Sequence, residues 1–446
     1  MKNLVKVIII LILVVGHSLS SVCGKIAFVT EEKEKPNIIL VFIDDLGYGD
    51  FSINGSKLID TPNIDRMAQE GIKLTQAFAS ANLCTPSRAG LLTGRYPVRT
   101  GLGEGVLFPD SDTGLPPEEI TIAEILKEQG YATSIIGKWH LGDQDPYWPT
   151  NHGFDYYYGL PYSNDMLPLA LYRNKKNIEE PVNQSTITER YVEETTKFIS
   201  ENQDQPFFIY LAHTMPHTPL LVSEKFKNRS NAGLYGDVVE TIDWGMGEIF
   251  KKLKELKLDK ETLVIVTSDH GPWYEGSTAG LRARKGLASY EGGFRVPFLA
   301  VWPGQIPAGA TSDAITMNID LFPTLIELAG GEVPQDRTID GKNIWDVLKG
   351  SEQSPHKFLY FFNNAEITAI RSQRWKFVVG QHWRTGFSSF EGKDRYGNTH
   401  YYDPGLLYDL ERDPAENYSF TRENPEVVKQ MVRWLEAGRN EFKNEN

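Results

Sequence analysis

The chain has 446 residues, and its 59 Asp and Glu outnumber its 46 Lys and Arg to give a formal net charge of −13. At about 100–200 residues per domain, that length suits two or three domains, or one large α/β domain with a smaller unit. With 40% hydrophobic and 24% charged residues, the composition excludes wholesale disorder, collagen-like repeats and a coiled coil. The acidic excess excludes a nucleic-acid binder, which needs a basic footprint. An anionic substrate must therefore be held by a local cluster of cations or by a metal.

Residues 1–24 read as an export signal. Lys2 and Lys6 supply the positive start, Val7 to Val15 is an unbroken apolar run, and Ser18, Ser20 and Ser21 are small residues near a cleavage point. The run is shorter than the roughly 20 apolar residues of a membrane anchor. The expectation is an exported protein, periplasmic or secreted, without a transmembrane anchor. Cys23 stands where a lipoprotein cysteine would, although Ser20-Ser21-Val22 lacks the small residue usually found directly ahead. Cleavage would leave Cys84 alone, with no disulfide partner in an oxidising compartment.

After a charged linker, Glu31 to Lys35, four buried strands are predicted. Asn37 to Ile43 ends in Asp44-Asp45, and Tyr131 to Ile136 ends in Gly137-Lys138-Trp139-His140. Pro206 to Leu211 leads to His213 and His217, and Thr262 to Thr267 ends in Ser268-Asp269-His270-Gly271. Continuous apolar runs of this kind suit strands covered on both faces. Helical spacing appears at Thr61 to Ala68, Thr121 to Gln129, Asp237 to Leu256 and Leu321 to Leu328, with Gly130 as a stop signal. Alternating strands and helices predict a largely parallel α/β sheet over residues 36–345. Ligands of such sheets bind beyond the carboxyl ends of the strands, where the polar clusters fall. One shared site is expected.

From about residue 346 to 446 the texture changes to short strands, Phe358 to Phe362, Thr368 to Arg371, Trp375 to Val379 and Gly405 to Tyr408, with a final helix from Pro425 to Phe442. This predicts a small α+β subdomain with an antiparallel sheet.

The most specific segment is Cys84-Thr85-Pro86-Ser87-Arg88, followed by Leu92-Thr93-Gly94-Arg95. Pro86 predicts a helix start, which puts Cys84 at an anion-friendly N-terminus with the Arg88 guanidinium one turn on. This segment resembles the signature of the type I sulfatases, arylsulfatase-like members of the alkaline phosphatase superfamily. The resemblance extends over nearly the whole mature chain. It takes in Asp44-Asp45, Gly137 to His140, Pro216-His217-Thr218-Pro219, Ser268 to Gly271, Gly280 to Pro297 with Lys285, and Leu407 to Pro414. It implies an alkaline-phosphatase-like fold: a large, mostly parallel mixed sheet sandwiched by helices.

The resemblance further implies that a separate formylglycine-generating enzyme converts Cys84 to formylglycine (3-oxoalanine), an aldehyde whose gem-diol is the nucleophile. Two adjacent carboxylates and Asp269 suit a hard divalent cation, and the resemblance implies calcium, with magnesium-like ions allowed by ligand type alone. Asp44, Asp45 and Asp269 are the expected ligands. His270 stands where the family often has Asn, and it either ligates the ion or binds sulfate or the nucleophile. By the same resemblance, Arg88, Lys138 and Lys285 neutralise the sulfate oxygens, His217 or Lys285 protonates the leaving oxygen, and His140 accepts a proton as sulfate is expelled. Ser163, in Leu160 to Asp165, resembles a segment that contacts sulfate.

His213 has no motif match and suits a structural role as well as a functional one. Trp273, His382, Trp383, Arg384 and His400 are candidates for a sugar subsite or plain packing. A sulfated carbohydrate is the expected substrate. The alternatives are aryl or steroid sulfates, or a phosphodiester or phosphonate as in other members of the superfamily.

Overall fold

A computed structural model describes residues 35–382 and 399–443. Residues 1–24, Cys23, Trp383 and Arg384 lie outside the described residues, as do the side chains of His382 and His400.

Strand β1 (Asn37–Ile43) is buried at every position. It pairs in parallel with β7 (Phe207–His213) on one side and β8 (Thr262–Ser268) on the other. Beyond β7 lie β3 (Ala132–Lys138) and β4 (Tyr156–Leu160), both parallel, and then the antiparallel pair β5 (Leu171–Arg173) and β6 (Lys176–Glu179) at the edge. On the other flank β9 (Arg295–Val301) runs antiparallel to β8 and to β2 (Ile72–Phe78), and β10 (Ala310–Ser312) and β11 (Thr316–Met317) pair with β2 in parallel. The mostly parallel mixed sheet expected from the sequence is present. The antiparallel insertion of β9 was not anticipated, because Pro297 and the leading Arg295 break up its apolar run.

Alternate residues of β1 feed two separate cores, as the two-residue side-chain period of a strand requires. Ile38, Leu40 and Phe42 pack with α2 (Cys84–Thr93), α3 (Ile122–Glu128) and α6 (Leu321–Leu328). Ile39, Val41 and Ile43 pack with α1 (Pro62–Glu70), α4 (Ile187–Glu201) and α5 (Gly233–Glu255). Full burial of each such apolar side chain is worth roughly 1.5–3 kcal/mol, so the sheet cannot slip by one residue without exchanging both cores. Helix α3 begins with a capping box in which the Thr121 hydroxyl accepts from the Glu124 N–H at 3.2 Å and the Glu124 carboxylate accepts from the Thr121 N–H at 2.7 Å.

A second, four-stranded antiparallel sheet is formed by β12 (Leu359–Asn363), β13 (Glu366–Arg371), β14 (Trp375–His382) and β15 (Thr399–Asp409). Helix α7 (Pro425–Lys443) covers it through Met431, Leu435 and Phe442. Among the described residues no helix is long and apolar enough to cross a membrane.

Candidate active site

The sheet register builds the site. Ile43 is level with Ser268 on one side and His213 on the other, so Asp44-Asp45 and Asp269-His270 leave neighbouring strands at the same height. On β3, Gly137 is level with Ala212, and Lys138 is the last residue of its strand. Helix α2 points its first residue, Cys84, at this edge. Asp45 and His140 turn the chain away from the sheet in the left-handed region, at φ 65 and φ 63, which non-glycine residues adopt uncommonly.

Cys84, Asp44, Asp269 and His270 form one tight group of metal-competent side chains, and Asp45, Cys84 and His217 form an overlapping one. The Cys84 thiol donates to Asp44 Oδ1 at 3.5 Å, and His270 Nε2 lies 3.3 Å from its Sγ. His270 Nε2 is also 3.6 Å from Asp45 Oδ1 and 3.5 Å from Asp269 Oδ2. Three cations face the three carboxylates. Arg88 reaches Asp269 Oδ2 at 3.1 Å and Asp44 Oδ1 at 3.6 Å, Lys138 Nζ donates to Asp44 Oδ2 at 2.5 Å, and Lys285 Nζ donates to Asp45 Oδ1 at 2.7 Å. All of these side chains are buried.

Burial would push the Asp44 carboxyl up, but Lys138 and the other cations outweigh it and hold the group well below its usual range. Asp269 goes the other way: burial, reinforced by the Asp44 charge, raises it well above. Burial opposes ionisation of the Cys84 thiol, yet Lys138 and Lys285 bring it well below an ordinary thiol. His270 is lowered by burial, but Asp269 and Cys84 carry it to about 9. His140 is pushed down to about 4, first by burial and then by the Lys138 charge.

The remaining expected residues fall as follows. Ser163 Oγ accepts from Lys138 Nζ at 3.1 Å and lies 3.4 Å from His217 Nε2, which joins it to the cluster. His217 Nδ1 donates to the Thr218 carbonyl at 2.6 Å, and its Nε2 is 3.9 Å from Asp45 Oδ2. His213 is buried with its ring against Tyr191 of α4, centroids 6.3 Å apart, and burial alone lowers it to about 3. It is in neither of the two metal-competent groups. Trp273 is half-buried, its carbonyl accepts from Arg284 at 2.7 Å, and its ring meets Tyr274 edge-on.

Several supporting residues were not singled out in the sequence. Ser87 Oγ donates to the Asp269 carbonyl at 2.5 Å and is held by Asn318 Nδ2 at 2.9 Å. Asp50 accepts from the N–H groups of Gly47 and Ser277, at 2.6 and 2.7 Å, and so ties the Asp44-Asp45 loop to the segment before Lys285. Asn164 Nδ2 donates to the His217 carbonyl at 3.3 Å, linking the Ser163 and His217 loops. Ser87 and Asn164 adjoin a motif residue in sequence, the one signal that could have exposed them; Asp50, five residues beyond Asp45, carries no such signal.

A doubly covered α/β sheet thus ends in a buried ionic cluster around a cysteine at a helix start, with cations that can hold an anionic group. Comparison with known proteins gives the family. The Sulfatase family model matches residues 36–331, and the model for the C-terminal region of aryl-sulfatase matches residues 354–445. Human arylsulfatase A is 37% identical over 86% of this chain and 83% of its own length, and human steryl-sulfatase is 35% identical over 87% and 84%. Among solved structures, Ps i-CgsB superposes with a TM-score of 0.78 at 32% identity, covering 90% of this chain and 92% of that one. The PsFucS1 sulfatase from Pseudoalteromonas sp. gives 0.84 at 27% identity, covering 93% and 92%. The chain belongs to the sulfatase family, and it is a sulfuric ester hydrolase with the alkaline-phosphatase-like fold.

Proposed function

We propose that the protein is an exported sulfatase that removes sulfate from a carbohydrate, with Cys84 converted to formylglycine and a calcium ion beside it. The convergence of Cys84 with three buried carboxylates and three buried cations carries this reading. The donor set fits the ion: Asp44, Asp45 and Asp269 offer the oxygen ligands a hard cation takes, and His270 completes the group. Asp44, Asp45, Asp269 and His270 would hold calcium. Once formed, the hydrated aldehyde supplies a nucleophilic hydroxyl for attack at sulfur, and the ion supplies the positive charge that acidifies it.

The chain's own residues do the rest. Arg88, Lys138 and Lys285 bind and orient the sulfate group and oppose its growing charge, with Ser163 as a further contact. His217 holds a proton at Nε2 for the leaving oxygen, with Lys285 as the alternative acid. His140 takes a proton at Nδ1, a buried nitrogen, as sulfate departs. The carbohydrate reading draws on the relative whose structure is described in complex with k-i-k-neocarrahexaose. Aryl or steroid sulfates are the second reading, favoured by the names of the curated relatives.

The deciding experiment is sulfate release from a panel of sulfated oligosaccharides, one aryl sulfate and one steroid sulfate. The protein is co-expressed with a formylglycine-generating enzyme and compared with Cys84→Ala. Release from one sugar alone, abolished in the variant and by a chelator and restored by calcium, is expected. Release that survives Cys84→Ala sinks the mechanism, and preferential cleavage of the aryl or steroid ester transfers the substrate to the second reading.

A further inference from the structure

We infer that Thr85 is a positioning residue that fixes the His140 imidazole in the tautomer a base requires. The inference rests on the proposed role of His140. Thr85 follows Cys84 on the first turn of α2 and is buried. Its hydroxyl donates to the backbone carbonyl of His140 at 3.0 Å and accepts from the backbone N–H of Leu107 at 3.1 Å. The carbonyl of Leu107, in turn, lies 3.0 Å from His140 Nε2. The three residues close a ring of hydrogen bonds: hydroxyl to histidine backbone, imidazole to loop carbonyl, loop N–H back to hydroxyl.

The ring sets the tautomer. A carbonyl can only accept, so Nε2 carries the hydrogen and Nδ1 keeps its lone pair. That Nδ1 is buried. A second observation shows why a tether is needed. His140 sits at φ 63, a region that L side chains disfavour, just past the end of β3. Its N–H is held by the Pro161 carbonyl at 2.9 Å, and its own carbonyl is held by Thr85. Without the hydroxyl, the Leu107 carbonyl loses its registration with the ring, and either ring nitrogen can take the hydrogen. Thr85 thereby ties the geometry of the proposed base to the helix turn that carries Cys84.

The test compares Thr85→Val, which keeps the shape and removes both hydrogen bonds, with Thr85→Ser, which restores them. Rates are expressed per formylglycine, measured by mass spectrometry, with His140→Ala alongside. For Thr85→Val kcat should fall on the order of tenfold to a hundredfold with KM little changed, since a misplaced base slows chemistry more than binding. Thr85→Ser should recover most of the loss. The second readout needs no conversion. Nitrogen-15 spectra of histidine-labelled protein with intact Cys84, assigned through His140→Gln, should show one Nε2–H tautomer in the wild type and a mixture in Thr85→Val. An unchanged kcat in Thr85→Val, beside a large loss in His140→Ala, overturns the positioning role alone. Full activity in His140→Ala overturns the reading of His140 itself. If the valine variant escapes conversion, an unchanged tautomer in its spectrum overturns the inference.

Discussion

Burial and the neighbouring Lys138 charge keep the His140 imidazole neutral until about pH 4, well below the value near 6.5 of a free histidine. The sign of the pH dependence follows. The proposed base must be unprotonated, and it acts after the alcohol has left, so kcat should fall as pH drops through about 4, because this constant reports groups in the enzyme-bound complexes. A pH–rate profile checks it, and an acid limb centred near 6.5 would mean that a solvated histidine takes the proton instead. The individual site residues were legible in the sequence because each ends a buried strand or lies in a short polar motif. Their pairings were not. That Lys138 salt-bridges Asp44 while Lys285 takes Asp45 depends on side-chain directions across 94 and 240 residues, which no local pattern encodes.

Elements carry the site through the places where backbones approach most closely. Gly159 on β4 is level with Gly137 on β3, and Leu160 is level with Lys138. A Cβ at Gly159 would stand 1.7 Å from the Gly137 carbonyl oxygen, so the two strands would have to part. Gly159→Ala should therefore cost about 1–3 kcal/mol of stability, as overpacking does, and should lower kcat by displacing Lys138. Urea unfolding together with turnover checks this; a stable, fully active variant would show that the strand end is softer than its packing implies. At this scale β1, β3, β7 and β8 were readable because both faces are covered and the runs are unbroken. Strands β2 and β4 were not, since Lys73, Thr75 and Gln76 interrupt one and tyrosines dominate the other. Helix α4 was also missed, since Thr188, Tyr191, Thr195 and Phe198 interrupt the aliphatic residues Ile187, Val192 and Ile199 on its buried face.

Across the whole molecule, four fully buried charges join the small sheet to the segment that carries Lys285. Lys376 of β14 meets Glu291 at 3.1 Å and Glu416 at 3.2 Å, Arg371 of β13 meets Glu291 at 3.3 Å, and the Glu291 N–H donates to Glu416 at 2.7 Å. Burial is the main influence on Glu416 and carries its carboxyl up to about 7. A carboxyl raised on folding adds stability below its unfolded value of about 4.5, and that share is lost as pH rises through about 7. Glu416→Gln should flatten the decline over that window, as urea titrations at several pH values would reveal; an unaltered slope would remove Glu416 as its source. The burial of Cys84, 2% exposed beneath its neighbours, sets an order of events in time. Its partner His270 lies 186 residues further along the chain, so during synthesis the cysteine segment is made about 10–40 s before the residue that helps enclose it, at about 5–20 residues per second. On the proposed conversion of Cys84, a modifying enzyme that must grip the segment would have to act before this enclosure is complete. Folded, unconverted protein should resist conversion in vitro, while the same chain held unfolded should accept it, which mass spectrometry of the tryptic peptide can distinguish. Activity per molecule would then be decided by a race between modification and folding, run once in each chain's life.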